Sequence, residues 1–547
     1  MRQIKREQMN STQKRIARRD FLTSIGRAVG SSAMLKTMAA MGIGTSLASC
    51  GSSSAAPGMP GSPNPPPAIP SPRPGDWPTN VGVGKSVVIL GGGIAGMTTA
   101  LEMTMLGYNC TILEATPVAG GRNRTIRAGD VINETDSSQT CLFDFDSDLY
   151  FNAGPARIAH HHEFLLGYCR EFSVPLETFT NYNSGALLHS ATSFNGQPQT
   201  ARQVQADTRG NIARLLALAV NQNALDQELS ANDKVNILQM LRSFGDLSGN
   251  FDYPGSERAG FPGQQDTGSR QRGEPLTPLQ FQEIISETFW QQRQDFPHSL
   301  NQQSTMLQPV GGMDQIARAF ENRIAADIVY EAVVTEIRKT ADGARVIYQD
   351  RVGTSMTIDV DYCVCTIPAS VLRNIPNDFA SAHQSAINNF NYAAAGKIAF
   401  QSRRFWEQEH NIYGGISWTT QDITQMWYPN AGFGRANGIV VGAYMFGSNA
   451  NNFANQTPQQ RINSAIAQGR NLHPEYGNEA ARGISVSWPK VPFQLGAWGT
   501  SDPGILLTAD DNIFFAGEHL SILQGWQEGA ILSAYHAIDL VVSRDIP

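Results

Sequence analysis

The stretch Val87-Val88-Ile89-Leu90-Gly91-Gly92-Gly93-Ile94-Ala95-Gly96 decides the fold. Apolar residues lead into three glycines and then into a helical pattern. In a nucleotide-binding βαβ unit, Gly91 makes the tight turn, Gly93 lets the backbone approach a pyrophosphate, and Gly96 lets the helix pack closely on the sheet. The phosphates face the positive N-terminal end of that helix, at Ile94 and Ala95. Glycine-rich turns also occur without a ligand, so the turn alone is a weak signal.

An acidic residue at the end of the next strand-like run strengthens the prediction. Glu114 follows the apolar run 110–113, at the spacing at which a carboxylate accepts hydrogen bonds from a ribose. The adjoining Ala115 belongs to the same predicted contact. The two features together predict a cofactor that contains ADP.

Three further blocks indicate which dinucleotide binds. Gly120-Gly121-Arg122 follows shortly after Glu114, and Phe514-Phe515-Ala516-Gly517-Glu518-His519 and Gly525-Trp526-Gln527-Glu528-Gly529-Ala530 stand near the C-terminus. These blocks resemble the flavin-containing amine oxidases and, more closely, the L-amino-acid oxidases among them. In that family the glycine-arginine motif and the late Gly-Glu block hold FAD from opposite ends of the chain. A nicotinamide dehydrogenase has no need of the C-terminal block, so the resemblance implies FAD.

The resemblance also implies how the cofactor is held. An arginine supplies a planar fork for phosphate oxygens, and Glu518 can accept hydrogen bonds from hydroxyls of the flavin side chain. Family members that bind flavin covalently carry a cysteine shortly before the C-terminal block, whereas 488–515 contains none. We therefore expect noncovalent FAD. The implied cofactor contacts are Gly91, Gly93, Ile94, Ala95, Gly96, Glu114, Ala115, Gly121, Arg122, Gly154, Pro155, Ala156, Arg157, Val334 (through its backbone, at the adenine), Gly517, Glu518, Gly525, Trp526 and Gln527.

One arginine carries the prediction of the substrate class. The segment Asn152-Ala153-Gly154-Pro155-Ala156-Arg157-Ile158 resembles the L-amino-acid oxidase segment whose arginine pairs with the substrate carboxylate. The two parallel N–H groups of an arginine match a carboxylate. The alternative is that Arg157 forms a structural ion pair beside the flavin.

Other residues of the implied active site lie further along the chain. Lys397 resembles the family lysine that reaches the flavin through a water and assists its reaction with dioxygen, and the alternative is a surface lysine at a strand end. Tyr428, the second member of the pair Trp427-Tyr428, is expected to donate its hydroxyl to the substrate carboxylate. Tyr428 and Trp526 are expected to wall the amine site, with the Gly525 carbonyl accepting from the amine, although strand aromatics are more often core residues.

The implied activity is oxidative deamination. An L-amino acid would be converted to a 2-oxo acid, with ammonia and hydrogen peroxide released and dioxygen as the second substrate. Two alternatives stay open: a flavin oxidase or dehydrogenase of another amine, such as a polyamine, and a noncatalytic, surface-tethered flavoprotein. The resemblance is compatible with a homodimer.

Length and charge set limits on the architecture and on the partners. A chain of 547 residues suggests two or three domains. The formal net charge is −7, of which the first 49 residues contribute +7, so the remainder carries −14. This balance argues against a nucleic-acid partner, which needs a basic face. The run His160-His161-His162 is not expected to bind a metal, because adjacent residues of a helix diverge in direction.

The N-terminus is predicted to be an export signal. Arg18-Arg19-Asp20-Phe21-Leu22 before an alanine- and glycine-rich stretch resembles a twin-arginine signal, with a basic N-terminal helix as the alternative. Leu47-Ala48-Ser49-Cys50 resembles a lipobox, so we expect lipidation at Cys50 and a periplasmic or cell-surface location. Membrane contact would then occur only through this anchor. Ordinary cleavage near Ala48 and release of a soluble exported protein is the alternative.

The expected fold is α/β: a Rossmann-like FAD-binding domain with the second Gly-Gly-Arg motif, a mixed-sheet substrate domain and a helical insertion. Strands are expected at 329–338 and 344–348, and Cys363 and Cys365 are expected on one face of a core strand. The predicted organisation is a signal (1–49), a disordered tether (50–80), an FAD-binding domain (81–135, 308–375 and 506–547), a substrate-binding domain (136–197 and 376–505) and a helical domain (198–307).

Overall fold

The computed structural model describes residues 77–261, 275–324 and 327–546. The twin-arginine motif, Cys50 and most of the predicted tether lie outside the described residues. Residues 77–80 of the predicted tether are among the described residues. Trp77 is only 6% exposed and packs edge-to-face on Tyr535, with 5.9 Å between ring centroids. An indole buried in this way belongs to the folded core, which the Pro- and Gly-rich composition of the preceding residues did not reveal.

The strands are β1 (Ser86–Leu90), β2 (Asn109–Glu114), β3 (Thr125–Ile126), β4 (Val131–Glu134), β5 (Ser137–Thr140), β6 (Phe151–Asn152), β7 (Ile158–Ala159), β8 (Leu176–Phe179), β9 (Leu187–His189), β10 (Gln199–Thr200), β11 (Met306–Pro309), β12 (Ile328–Tyr330), β13 (Val333–Lys339), β14 (Ala344–Gln349), β15 (Ser355–Val360), β16 (Tyr362–Cys365), β17 (Tyr392–Ala393), β18 (Ala395–Arg403), β19 (Ile416–Thr419), β20 (Gln425–Trp427), β21 (Asn437–Phe446), β22 (Ala481–Ser487), β23 (Trp498–Gly499) and β24 (Ile513–Phe515).

The α-helices are α1 (Ile94–Met105), α2 (Glu163–Glu171), α3 (Ala201–Asn221), α4 (Ala231–Phe244), α5 (Phe281–Ser286), α6 (Thr288–Asp295), α7 (Asp314–Ile324), α8 (Ala369–Leu372), α9 (Ser381–Asn389), α10 (Phe405–Gln408), α11 (Gly447–Ala454), α12 (Pro458–Gly469), α13 (Tyr476–Glu479) and α14 (Gln527–Asp545). Among the described residues, none of these helices combines the length and the apolar character that a membrane crossing requires.

The larger of two compact units contains residues 77–181, Ser304–Gly415 and 422–546. Its first element is a parallel sheet with the strand order β12-β2-β1-β16-β24. The apolar run 87–90 lies in its central strand β1, and these four residues are almost completely buried. Parallel strands buried on both faces are continuously apolar in this way.

Both faces of the parallel sheet are covered. Val87 and Ile89 point into one core cluster together with residues of α1, α7 and α14, whereas Val88 and Leu90 point into another with residues of the antiparallel sheet β13-β14-β15. Cys363 and Cys365 lie on the same face of β16 and are fully buried. Their predicted place in the core is confirmed.

One predicted strand is in fact two. The strand expected over 329–338 is interrupted between β12 and β13 by a turn in which Glu331 has φ +56. β12 joins the parallel sheet, whereas β13 begins the antiparallel sheet. An apolar pattern does not show where a chain leaves one sheet for another. The strand expected over 344–348 is confirmed as β14.

The larger unit also contains the antiparallel strands β20-β21-β18-β22. β18 is buried along nearly its whole length, which is the expected state of a central strand. Lys397 lies within β18, directly opposite Tyr444 of β21 and Val486 of β22. A charged residue thus occupies an interior position of the sheet.

The smaller unit contains Tyr182–Gln303, as far as described, and Ile416–Gln421. The strands β10-β9-β19 accompany its helices α3 to α6. α4 begins with a capping box in which Ser230 and Asp233 bind each other's backbone N–H groups. α3 and α4 both lie within 198–307, the region predicted to be helical.

A buried ion pair generates a stability prediction. Glu134 accepts hydrogen bonds from Arg461 Nη1 at 2.7 Å and from Ser487 N at 2.8 Å, and the Glu134 and Arg461 side chains are at most 1% exposed. Glu134→Ala leaves the guanidinium buried without its carboxylate, so we expect the free energy of unfolding to fall by about 3–5 kcal/mol. The exposed pair of Arg345 and Asp359 supplies the control. In chemical denaturation Asp359→Ala should move the midpoint little, and equal shifts for the two variants would contradict the prediction.

Candidate active site

The glycine turn after β1 contains two glycines that the protein itself requires. A Cβ on Gly96 would lie 2.0 Å from the Gly91 carbonyl oxygen, and Gly91 has φ +105 with only 2.8 Å from its would-be Cβ to Thr366 Oγ1. Gly93 differs: its φ is −74, and no atom lies within 4 Å of the Cβ position. The protein fold does not require glycine at 93. A group that approaches the backbone at this position would require a glycine there, and a pyrophosphate is such a group.

The N-terminus of α1 is suited to an anion. No side chain caps this helix, and its first turn contains no acidic residue. The first N–H groups of a helix lack intrahelical partners and carry the positive end of the helix dipole. The residues therefore fit the diphosphate of FAD.

Glu114 closes the other side of this turn. Its Oε2 accepts from Gly92 N at 2.7 Å, and its Oε1 accepts from Thr116 N at 2.8 Å and from Thr116 Oγ1 at 2.7 Å. Burial raises the pKa of Glu114 despite these hydrogen bonds. A carboxylate offers about four acceptor positions, so the carboxylate retains capacity for a ribose hydroxyl.

The glycine-arginine motif and the C-terminal block meet in one ion pair. Arg122 Nη1 donates to Glu518 Oε1 at 2.7 Å and to the Ala497 carbonyl at 2.8 Å. Glu518 also accepts from the backbone N–H groups of Gly499 and Gly525. Two motifs separated by almost 400 residues of sequence therefore form a single polar cluster.

The segment that carries Arg157 is fixed from two sides. A Cβ on Gly154 would lie 1.8 Å from the Arg122 carbonyl oxygen, so only glycine fits there. Lys397 Nζ donates to the carbonyl oxygens of Asn152 at 2.9 Å and Gly154 at 2.5 Å. Pro155 and Ala156 complete the short link to Arg157.

Lys397 is not a surface residue. Its side chain is 2% exposed, and burial, followed by the nearby charge of Arg157, lowers the pKa of Lys397 to about 7. Its ammonium also lies 4.6 Å from the ring centroid of Tyr444 and 5.3 Å from that of Trp427. The surface-lysine alternative is therefore wrong.

Arg157 is surrounded by aromatic rings. Its guanidinium carbon lies 4.6 Å from the ring centroid of Trp427 and 5.9 Å from those of Phe179 and Trp526. Stacking uses the face of a guanidinium, whereas carboxylate binding uses its N–H edge. The two interactions are therefore compatible at one arginine.

The aromatic pair Trp427-Tyr428 contacts two different groups. The Tyr428 hydroxyl lies 2.6 Å from His473 Nε2, and the residue is 1% exposed. Trp427 packs beside Arg157. The contact of the Tyr428 hydroxyl with a substrate carboxylate stays a prediction.

The remaining predicted residues lie at the ends of elements. Trp526 is the residue before α14, and the Nε2 of Gln527, the first residue of that helix, is buried without a hydrogen-bond partner among the described residues. Such a buried amide fits a polar group of a bound cofactor. Gly517 and Gly525 have positive φ values, and Val334 lies beside a register shift in β13.

A row of aromatic residues that were not among the predicted site residues begins beside Lys397. Tyr444 lies opposite Lys397 in the sheet, Phe446 packs on Tyr444 at 4.3 Å between centroids, and Trp498 packs on Phe446 at 5.9 Å. The alternation of Tyr444 and Phe446 along one strand was the available signal, since such residues share a face.

Gly93 generates a test of the cofactor site. Gly93→Ala has room for its methyl group in the protein, so we expect a folded protein whose affinity for FAD is lower by roughly tenfold or more, or about 1.4 kcal/mol. The dissociation constant can be measured by titrating the flavin-free protein, and Gly249→Ala, at an exposed open position, is the control. Unchanged FAD affinity in Gly93→Ala would contradict the assignment of the pyrophosphate to this turn.

Comparisons with known proteins agree with this geometry. A sequence profile described as flavin containing amine oxidoreductase matches residues 94–542. YobN of Bacillus subtilis (strain 168), provisionally named an L-amino-acid oxidase, is 26% identical over 482 residues, which cover 82% of this chain and 93% of that protein. The L-amino-acid oxidase of Echis ocellatus is 24% identical over 487 residues, covering 84% and 89%.

A solved structure shows a similar fold. Cyclohexylamine oxidase from Brevibacterium oxydans IH-35A matches with a TM-score of 0.56 at 14% identity, over 84% of this chain and 99% of that one. The sequence profile covers most of the chain, and the glycine turn, the bare helix N-terminus and the Arg122–Glu518 cluster fit FAD. The chain therefore belongs to the flavin-containing amine oxidoreductase family, and it is an FAD-dependent oxidoreductase.

Proposed function

We propose that the protein is an exported L-amino-acid oxidase. It would convert an L-amino acid, dioxygen and water into a 2-oxo acid, ammonia and hydrogen peroxide. The observation that carries the proposal is the position of Arg157, on a segment tied to the buried Lys397 and beside Trp427 and Trp526. The relatives named as L-amino-acid oxidases support the same substrate class.

An arginine at this position favours amino acids over simple amines. A carboxylate can accept two parallel N–H···O bonds from a guanidinium, and an amine cannot. The coulombic effect of Arg157 on the pKa of Lys397 indicates that the guanidinium charge is felt at the lysine. The charges of Arg157 and Lys397 lie away from bulk water, where electrostatic interactions are stronger. They therefore favour the binding of an anionic substrate group beside them.

The fold supports a proposal for the domain assignment. We infer that the parallel sheet with α1 is the Rossmann-like FAD-binding domain, formed by 81–135, 308–375 and 506–547. The strands around Lys397 would belong to the substrate-binding domain, 136–197 and 376–505. The region 198–307 would be the helical insertion.

The protein contributes mainly by positioning. Bound FAD supplies a hydride acceptor for the substrate Cα–H. Arg157 holds the substrate carboxylate, the Gly525 carbonyl accepts from the amine, and the rings of Trp427 and Trp526 exclude water. Holding reactants in this way saves an entropic cost of several kcal/mol, up to about 7–11 in favourable systems. The amine must be neutral to lose hydride, so reduction of the flavin by the substrate becomes faster as the pH rises.

The location is proposed from the sequence alone. The twin-arginine motif at Arg18-Arg19 supports export of the folded protein, with FAD inserted before export. Cys50 in its lipobox-like context supports a lipid anchor, followed by a Pro- and Ser-rich tether. Fractionation of the producing cell and mass spectrometry of the mature N-terminus would test both steps.

The substrate class can be tested directly. The purified mature protein is mixed without oxygen with a panel of L-amino acids, their D-forms and the corresponding decarboxylated amines, while the flavin absorbance is followed. Bleaching by L-amino acids only, and peroxide on admission of air, is the expected result. Bleaching by amines only would overturn the proposal in favour of an amine oxidase. Bleaching by none of them would also overturn the proposal, because the substrate would then lie outside both classes.

Arg157→Ala tests the carboxylate contact. Loss of a buried, hydrogen-bonded charge partner costs about 2–5 kcal/mol, so kcat/KM for an L-amino acid should fall roughly 30-fold or more, mainly through KM. The same variant assayed with the decarboxylated amine serves as the control and should change little. Indifference of amino-acid turnover to the substitution would remove the basis of the proposal.

Lys397→Met tests the oxygen reaction. With a pKa near 7, Lys397 is charged below this pH and neutral above it. Positive charge stabilises developing negative charge on dioxygen, so the wild-type oxygen half-reaction should slow as the pH rises through about 7. Stopped-flow mixing of substrate-reduced enzyme with oxygen should show a slow and pH-independent reaction in the variant. A normal rate in Lys397→Met would sink this role.

A further inference from the structure

A cluster of side chains of the kind that bind metal ions lies next to Tyr428. His410, His473 and Glu475 each offer a ligand atom, and the three atoms lie within 4.8 Å of one another. His410 follows α10, whereas His473 and Glu475 lie between α12 and α13. We propose that these three side chains bind a divalent metal ion, with Zn²⁺ as the cation that the ligand set fits best.

The distances are close to those of a coordinated ion. His473 Nδ1 lies 3.7 Å from Glu475 Oε1, and His410 Nε2 lies 2.5 Å from the same oxygen. Ligand atoms of a tetrahedral Zn²⁺ are about 3.3 Å apart, because each bond is about 2.0–2.1 Å long. The His473–Glu475 separation of 3.7 Å is about 0.4 Å longer than this value, and the His410–Glu475 separation of 2.5 Å has to increase by about 0.8 Å on metal binding. The ligand atoms of the third pair, His410 and His473, lie within 4.8 Å of each other.

His473 provides the second, independent observation. It is completely buried, and its Nδ1 has no hydrogen-bond partner among the described residues. An unsatisfied buried ring nitrogen is costly for the protein, and a metal bond at that nitrogen relieves the cost.

The surroundings resemble those of a protein metal site. His473 Nε2 lies 2.6 Å from the Tyr428 hydroxyl, and a metal on Nδ1 fixes the tautomer in which Nε2–H donates to that oxygen. The ring of Phe405 packs 5.2 Å from that of His473. The side chains of His410 and Glu475 are 30% and 24% exposed, which leaves one side open to a water as fourth ligand.

Two imidazoles and one carboxylate determine the choice of metal. Imidazole suits Zn²⁺ and its transition-metal neighbours, whereas Ca²⁺ and Mg²⁺ prefer oxygen ligands. Tyr428, which contacts His473, directly follows Trp427 in the sequence. The role of the metal site is therefore to fix the chain segment that carries the Trp427 ring beside Arg157. It touches neither substrate nor cofactor and is a positioning site.

Metal binding can be measured on the FAD-loaded protein after removal of any histidine tag. The protein is dialysed and titrated with Zn²⁺ against a chromophoric chelator, and bound zinc is counted by elemental mass spectrometry. We expect one Zn²⁺ per chain in the wild type and in His298→Ala, a control at an exposed histidine. His410→Ala and Glu475→Ala should lose stoichiometric binding. Tyr428→Phe should weaken it about 10- to 100-fold, as loss of a hydrogen-bond partner of a ligand does.

Thermal unfolding provides a readout that is independent of activity. Zn²⁺ should raise the Tm of the wild type and of His298→Ala but not that of His410→Ala, because only the native state binds the ion. Retained FAD in each variant shows that the variant is folded. Equal zinc binding by the wild type and His410→Ala would overturn the proposal and leave the cluster as a hydrogen-bonded brace for Tyr428.

Discussion

The Lys397 ammonium lies inside an antiparallel sheet and donates to the carbonyl oxygens of Asn152 and Gly154. A buried ammonium is costly unless its donors are satisfied, so these bonds hold the segment that leads to Arg157 against the sheet. The position of the guanidinium beside Trp427 depends on this contact. Lys397 thus fixes the backbone from which Arg157 extends. The proposed specificity for amino acids therefore depends on Lys397, although Lys397 itself does not bind the amino acid in the proposed scheme.

Close backbone contact is the second constraint. Gly96 packs on the Gly91 carbonyl and Gly154 on that of Arg122, at separations that exclude any Cβ. These contacts bring the helix N-terminus, the glycine-arginine motif and the Arg157 segment into one region. Gly93 differs from these two glycines, because no protein atom lies within 4 Å of the position that its Cβ would take. Because Gly93 lies in the dinucleotide turn, this open space fits a pyrophosphate that approaches the backbone.

The adjacent residues Trp427 and Tyr428 link the active site to the cluster of His410, His473 and Glu475. Trp427 covers Arg157, and Tyr428 reaches His473. An extended chain alternates its side chains, so a brace on one face fixes the residue on the other. The proposed metal site would act on catalysis only through this geometry.

Local spacing and apolar runs in the sequence predict the dinucleotide turn, the glycine-arginine motif, the C-terminal block and the core strand with Cys363 and Cys365. Resemblance adds Lys397 and Arg157. The packing of distant segments then buries Lys397, places the Trp427 ring beside Arg157, brings Trp77 into the core, and brings His410 to His473 across more than sixty residues. Each of these depends on which chain segments pack together, and sequence spacing does not encode contacts between distant segments.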